Sequence, residues 1–142
     1  MARIADIKTI KLPVIHDSRG NLSYVENSKH IPFDIKRVFY LFDIPSTSVR
    51  EGHAHKKLHQ VIFALSGSFE ITLNDGYDIQ KIQLNKPYVG LYLPNMIWRD
   101  ISNFSSGAVC MVLASHEYDA SDYLRSFDEY VDIVNPPTSI TF

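Results

Sequence analysis

Two histidines separated by one residue, His53 and His55, are the part of the sequence best suited to chemistry. If this segment is extended, both imidazoles point to the same face, because side chains alternate along a strand. A neutral imidazole can bind a transition metal, and it can also accept or donate a proton near pH 7. The pair therefore predicts either a metal centre or an acid–base site.

The residues that follow the pair favour the acid–base site. In order along the chain these are Gln60, Gly67, Pro94, Arg99 and Asn103. Their spacing resembles the two motifs of the cupin superfamily, in which metal-binding members have Glu at the place of Gln60 and His at that of Arg99. Arginine has no lone pair for a metal, and glutamine offers only a neutral oxygen. We therefore predict a pocket without a metal or other cofactor, whose fixed positive charge favours an anionic or ketone-bearing ligand.

The elements that must position these residues are predicted to be mostly strands. Apolar or alternating segments recur at intervals of roughly ten residues, with turns between them. They lie at 6–12, 22–25, 35–42, 60–65, 69–73, 78–84, 88–93, 96–101 and 108–114. Residues 44–52 are predicted to form a loop, and apolar residues at helical spacing predict a helix from a cap at Ser121 or Asp122 to about Val134. The resemblance and this pattern together imply an all-β fold: one cupin domain over residues 1–142, a double-stranded β-helix (jelly roll) barrel with a short C-terminal helix.

Composition limits the class of protein. The chain has 142 residues, with 14 Lys and Arg against 16 Asp and Glu, so its formal net charge is -2. This length suits one domain, and the charge balance gives no basic surface for nucleic acid. The single cysteine, Cys110, excludes an internal disulfide and a cysteine-based zinc site. With no long apolar run and no signal peptide, we expect a soluble cytoplasmic protein without a nucleic-acid or membrane partner.

Further segments narrow the resemblance to one family. They are DSRG at 17–20, IKRVFY at 35–40, Arg50, HAHKK at 53–57, QV at 60–61, VGLY at 89–92, WR at 98–99, VLAS at 112–115 and YD-x-x-DY at 118–123. Over nearly the whole chain they resemble the dTDP-sugar 3,4-ketoisomerases. The resemblance implies a metal-free homodimer that converts dTDP-4-keto-6-deoxy-D-glucose to its 3-keto isomer. That product would later be aminated to a 3-amino-3,6-dideoxy sugar of surface glycans.

The resemblance also implies roles for individual residues in moving a proton from C3 to C4. His53 aligns with the main base, and His55 would be its partner or proton shuttle. Arg99 would disfavour the imidazolium and stabilise negative charge on an enediolate oxygen. The other predicted substrate-binding residues would contact the pyrophosphate, the sugar or the thymine. They are Arg19, Arg37, Arg50, Lys57, Gln60, Tyr92 and Trp98.

Two departures from the family leave questions open. Phe39 stands where relatives often have a tyrosine proposed as an acid or base, and Tyr40 should point to the other face of its strand. Relatives combine Arg with His, or Tyr with Arg, at the positions of Arg19 and Arg99. This chain has arginine at both, so the gluco or galacto configuration of the product stays open. The alternative functions are 3,5-epimerisation of the same sugar, non-catalytic binding of a sugar nucleotide, and metal-dependent oxygenation.

Overall fold

Two five-stranded antiparallel sheets pack face to face around the interior of the protein. The computed structural model describes residues 1–138, without the side chain of Glu51. The first sheet contains, in spatial order, β1 (Lys8–Lys11), β9 (Val89–Leu93), β6 (Gln60–Ser66), β11 (Val109–Ala114) and β4 (Arg37–Leu41). The second contains β12 (Tyr123–Leu124), β5 (Arg50–His55), β10 (Trp98–Ser102), β7 (Phe69–Asn74) and β8 (Ile79–Leu84). A separate hairpin pairs β2 (Val14–Asp17) with β3 (Gly20–Ser23).

Alternation of apolar and polar residues builds the core between the two sheets. In β7, Phe69, Ile71 and Leu73 are fully buried, whereas the residues between them are partly exposed. Burying each such side chain contributes about 2 kcal/mol to stability. The inward-facing residues of the first sheet complete this cluster, including Ile62, Ala64, Leu91, Leu93, Cys110 and Val112. The predicted all-β class with a short C-terminal helix is confirmed.

The C-terminal helix is shorter than predicted. It spans Phe127–Val134 (α1) and begins after Ser126, whose Oγ accepts a hydrogen bond from the Glu129 N–H at 3.3 Å. Residues 120–122 form a 3-10 turn, and Tyr123 and Leu124 pair with His55 and Ala54 of β5. The predicted cap at Ser121 or Asp122 was therefore wrong, because strand pairing takes the two residues that follow the turn. In the described part of the chain, no helix is long and apolar enough to cross a membrane.

The predicted loop over residues 44–52 also ends earlier than expected. Strand β5 begins at Arg50, which pairs with Ile101 of β10, and the same two strands pair at His53 and Arg99. Three steps along β5 therefore oppose two steps along β10, which is the arrangement of a β-bulge. The bulge lies directly before the histidine pair and so controls which side chains of β5 face inward.

Candidate active site

A cavity of about 430 Å³ opens between the two sheets. Its walls are partly apolar, with Phe39, Ile62 and Val112 among the residues that line them. Its polar lining includes side chains from both sheets and from the segment after β12: Arg50, His53, Gln60, Arg99, Tyr123 and Arg125. A mostly apolar cleft with a few convergent polar groups is typical of a small-molecule site.

The β-bulge brings Arg50 and His53 to the same cavity. In a regular strand, residues three apart point to opposite faces, but the bulge absorbs one residue and both side chains line the cavity. Gly52 lies in this segment, where an added Cβ would stand 2.4 Å from Nε1 of Trp98. Close approach of the Trp98 indole thus requires glycine at this position.

Arg99 places an unpaired positive charge in the cavity wall. Its side chain is buried, and Nη1 donates a hydrogen bond to Oε1 of Gln60. Nε and Nη2 donate to the carbonyl oxygen of Ile97 at 3.2 and 3.1 Å. Among the side chains that the structure describes, no carboxylate forms an ion pair with this guanidinium. Burial lowers the pKa of Arg99 to about 10, so the group stays protonated at neutral pH and can attract an anion.

These side chains do not fit the metal centre of a metal-binding cupin. The oxygen of Gln60 accepts a hydrogen bond from Arg99, and Arg99 itself occupies the place of the third histidine ligand. A cation beside the two imidazoles would also repel a divalent ion. In the part of the chain whose side chains the structure describes, no three His, Cys, Asp or Glu residues form a group that could hold a metal ion.

The two histidines have different surroundings although they share one strand face. His53 lines the cavity, whereas His55 is completely buried behind it, with the two ring centroids 4.9 Å apart and the rings perpendicular. Burial, aided by the positive charge of Arg99, lowers the pKa of His55 to about 2. Nδ1 of His55 lies 3.5 Å from Oδ2 of Asp122, and neither ring nitrogen forms a hydrogen bond within the described residues. His55 is therefore a neutral ring that packs against the base candidate.

A small pocket of about 40 Å³ adjoins His55 on the other side. Arg37, Lys57 and Asp122 are among the residues that line it. Nε and Nη2 of Arg37 are buried without a hydrogen-bond partner in the described chain, and its Cζ lies 5.1 Å from the ring centroid of Phe39. Arg37 and Lys57 thus lie beside the cavity lining and do not form part of it.

Three other predicted substrate-binding residues lie away from the cavity. Trp98 points to the outer face of β10, where its ring packs against Tyr130, because the next residue, Arg99, points inward. Tyr92 lies on the outer face of β9 and its hydroxyl is 2.7 Å from Nδ1 of His59. Arg19 lies in the turn of the β2–β3 hairpin and donates to Asp17 at 2.7 Å. The structure thus brings Arg50, Gln60 and Arg99 together with His53, but not these three residues.

Sequence reasoning missed two cavity residues, Tyr123 and Arg125. The helix predicted after Ser121 or Asp122 includes Tyr123, but Tyr123 belongs to β12 and its ring centroid lies 5.3 Å from that of His53. Cζ of Arg125 lies 4.4 Å from the ring centroid of Tyr123. The helical spacing of the apolar residues concealed the two-residue strand.

The fold and the site are those of a cupin-like sugar isomerase. A family model described as "FdtA: WxcM-like, C-terminal" matches residues 5–135, and the chain belongs to this family. A curated relative from Aneurinibacillus thermoaerophilus, named TDP-4-oxo-6-deoxy-alpha-D-glucose-3,4-oxoisomerase, is 49% identical over 87% of this chain and 88% of its own length. The protein is therefore an isomerase.

Two solved structures show the same similarity. QdtA, a sugar 3,4-ketoisomerase from Thermoanaerobacterium thermosaccharolyticum in complex with TDP, has a TM-score of 0.90 and 42% identity, covering 93% of this chain and 96% of its own. WlaRB, a TDP-quinovose 3,4-ketoisomerase from Campylobacter jejuni, has a TM-score of 0.86 and 48% identity, covering 90% and 98%. The similarity therefore extends through the cavity and both sheets.

Proposed function

We propose that this protein converts dTDP-4-keto-6-deoxy-D-glucose to a dTDP-3-keto-6-deoxy-hexose. One observation carries the proposal: an imidazole, His53, and a buried guanidinium that pairs with no described carboxylate, Arg99, line the same cavity. A 3,4-ketoisomerase needs a base for a carbon acid and a positive charge for the oxygen that becomes negative. The curated relative and WlaRB are named for TDP sugars, and QdtA is a sugar ketoisomerase in complex with TDP. These names support the same assignment.

In the proposed mechanism, His53 removes the proton from C3 next to the C4 ketone. Negative charge develops on the oxygen at C4, where Arg99 stabilises it from a site with little water. The proton is then delivered to C4 as the ketone forms at C3. His55 supports this cycle because a neutral ring against His53 holds the base in position without adding a second charge.

The pyrophosphate of the substrate requires further cations. Arg50 and Arg125 are exposed and line the cavity, so they lie at its mouth and are the first candidates. Arg37 and Lys57 in the adjoining pocket, and Arg19 on the hairpin, remain candidates at a greater distance. These groups determine which face of the sugar His53 can reach. That face in turn determines the configuration of the product at C4.

The proposed location is the cytoplasm, where sugar nucleotides are made.

The proposed assembly is a homodimer. The outer face of the edge strand β4 exposes Val38, Tyr40 and the adjoining Phe42 by 52, 60 and 61%. A contiguous apolar patch of this kind marks an interaction surface. Analytical ultracentrifugation should give twice the chain mass of 16.2 kDa for the wild type. Tyr40→Glu should shift it toward the monomer, and a wild-type monomer would contradict the dimer.

A coupled assay tests the function and the configuration at C4 together. The protein is incubated with dTDP-4-keto-6-deoxyglucose and an aminotransferase that accepts the 3-keto product, and the amino sugar is identified by NMR. In heavy water without the aminotransferase, deuterium should enter at C4 of the product and, through the reverse step, at C3 of recovered substrate; deuterium at C5 would instead identify a 3,5-epimerase. Binding of dTDP without any turnover would identify a non-catalytic binding protein.

His53→Asn tests the assignment of the base. Turnover should fall by about 100-fold or more, as expected for loss of a general base, while dTDP still binds. His59→Asn is the matched control, because His59 contacts Tyr92 outside the cavity and its replacement should preserve turnover. Unchanged turnover in His53→Asn would remove His53 from the mechanism.

A further inference from the structure

The proposed reaction moves two protons, and the base at C3 handles only one of them. One hydrogen leaves C3 and another arrives at C4, while the hydroxyl proton on the C3 oxygen must end on the C4 oxygen. The second transfer requires a neutral group that both donates and accepts a proton beside the two oxygens. Arginines donate only, so Arg50, Arg99 and Arg125 cannot supply it.

Few side chains of the cavity meet this requirement. Phe39 has no exchangeable proton, and burial raises the pKa of the Cys110 thiol to about 12, which makes it a poor proton donor. Ser48 lies in the loop before β5, and an alcohol is a much weaker acid than a phenol. The oxygen of Gln60 is engaged by Arg99. Among the cavity side chains that the structure describes, the group that remains apart from His53 is the hydroxyl of Tyr123.

Tyr123 is held against both histidines. Its backbone pairs with that of His55 across β12 and β5, and its ring centroid lies 4.5 Å from that of His55 and 5.3 Å from that of His53. The preceding residue, Asp122, fixes this strand, since its carboxylate accepts the backbone N–H of Lys57 at 2.9 Å. The aromatic ring therefore has a defined place at the wall that carries the base.

The charges near Tyr123 suit a phenol that transfers protons. Tyr123 and the Arg99 guanidinium line the same cavity. Arg125 approaches from the cavity mouth, with Cζ 4.4 Å from the ring centroid. Two cations near one phenol stabilise the negative charge that it carries while its proton is away.

We propose that Tyr123 is the catalytic acid–base residue that moves the proton between the two oxygens, an inference that rests on the proposed function. After His53 has taken the proton from C3 and Arg99 has stabilised the enediolate, the Tyr123 hydroxyl gives its proton to the oxygen at C4, and an enediol forms. Tyr123 then recovers a proton from the oxygen at C3 while C4 accepts the proton held by His53. The C3–H and C3 O–H bonds break, the C4–H and C4 O–H bonds form, and both residues return to their starting states.

Tyr123→Phe separates this role from a structural one, because phenylalanine keeps the ring contacts and loses only the hydroxyl. The reaction is run in heavy water, and both the 3-keto product and the deuterium at C3 of recovered substrate are measured. Product formation should fall by about 100-fold or more, whereas exchange at C3 should stay within about threefold of the wild type. Tyr118→Phe is the matched control, since Tyr118 is exposed and outside the cavity lining, and it should preserve both rates.

Different results overturn different claims. A wild-type rate of product formation in Tyr123→Phe would overturn the role of Tyr123, and so would an equal loss of exchange and product, which indicates misplaced histidines. Failure of the wild-type chain to form any 3-keto product would instead overturn the proposed function. If Tyr123→Phe does not fold, replacing Tyr123 by the isosteric but more acidic 3,5-difluorotyrosine should move the alkaline limb of the kcat profile to lower pH. An unmoved limb would also overturn the role.

Discussion

Arg99 in the cavity and Asp75 in the turn after β7 are both fully charged and almost completely buried, but their surroundings differ. The Asp75 carboxylate accepts from the backbone N–H groups of Ile4, Tyr77 and Asp78 at 2.7–2.9 Å and from Nε of Arg3 at 3.0 Å. Burial opposes its ionised form, but these bonds outweigh burial and lower the pKa of Asp75 to about 2. Within the part of the chain that the structure describes, Arg99 donates only to a neutral amide and a neutral carbonyl.

The difference separates a charge used for folding from a charge used for chemistry. Asp75 joins the N-terminal segment to the β7–β8 turn, and every partner that it needs is part of the chain. Arg99 is held in position without being neutralised, so a ligand or a developing oxyanion can interact with it. Burying a cation without a carboxylate costs stability, and this cost is consistent with a binding or catalytic use.

The largest expected effect is on activity, from Arg99→Met. Loss of the guanidinium should lower kcat/KM by about 100-fold to 1000-fold, because the charge on the C4 oxygen is no longer stabilised. The free energy of unfolding should stay the same within about 1 kcal/mol or rise, since an unpaired buried charge is removed. Steady-state kinetics and urea unfolding measure the two quantities. A large loss of stability with intact kinetics would make Arg99 a structural residue like Asp75.

The opposite pattern is expected for Asp75→Asn. An amide cannot accept on both sides of the former carboxylate, so the free energy of unfolding should fall by about 3 kcal/mol while kcat/KM stays within twofold. Asp78→Asn is a matched control because its side chain is mostly exposed and its change should cost less than about 0.5 kcal/mol. Impaired catalysis in folded Asp75→Asn would show that the two regions are coupled.

The pH dependence of stability should distinguish the cavity from the turn. In the folded protein the pKa of His55 is lowered to about 2, so below pH 6.5 the unfolded chain binds a proton that the folded chain does not. Stability should thus fall by about 2 kcal/mol between pH 7 and pH 5 in urea titrations, and His55→Gln should lack this decrease. The contribution of Asp75 is present above pH 3.8 and is lost only as the pH falls toward 2. Parallel curves of stability against pH for the wild type and His55→Gln would contradict the assignment to His55.

The sequence predicted most of the barrel because the signals were local. Alternation in β7 and the spacing from the histidine pair to Arg99 indicated the sheets and the centre of the site. Side chains alternate along a strand, so an inward Arg99 requires its neighbour Trp98 to point away from the cavity, as it does in the structure. Resemblance alone, which ignores strand faces, grouped the two residues together.

The remaining site residues depend on contacts between distant segments. Tyr123 enters the site through a two-residue pairing with β5, and the sequence around it favours a helix. Arg50 reaches the cavity because a bulge adds one residue to β5 opposite β10. No residue type in this segment predicts the bulge. Both features arise from pairing between strands, so local patterns could not reveal them.

That bulge makes chain length, as well as residue identity, a determinant of the site. In an unbulged strand, residues 50 and 53 would point to opposite faces, so the extra residue is what places the arginine and the histidine on one face. Removing one residue between them would leave them two apart, and a regular ladder with β10 would keep both side chains in the cavity. A single-codon deletion here should therefore preserve the groups that meet the substrate, whereas a change that straightened the strand at its present length would turn one of them out.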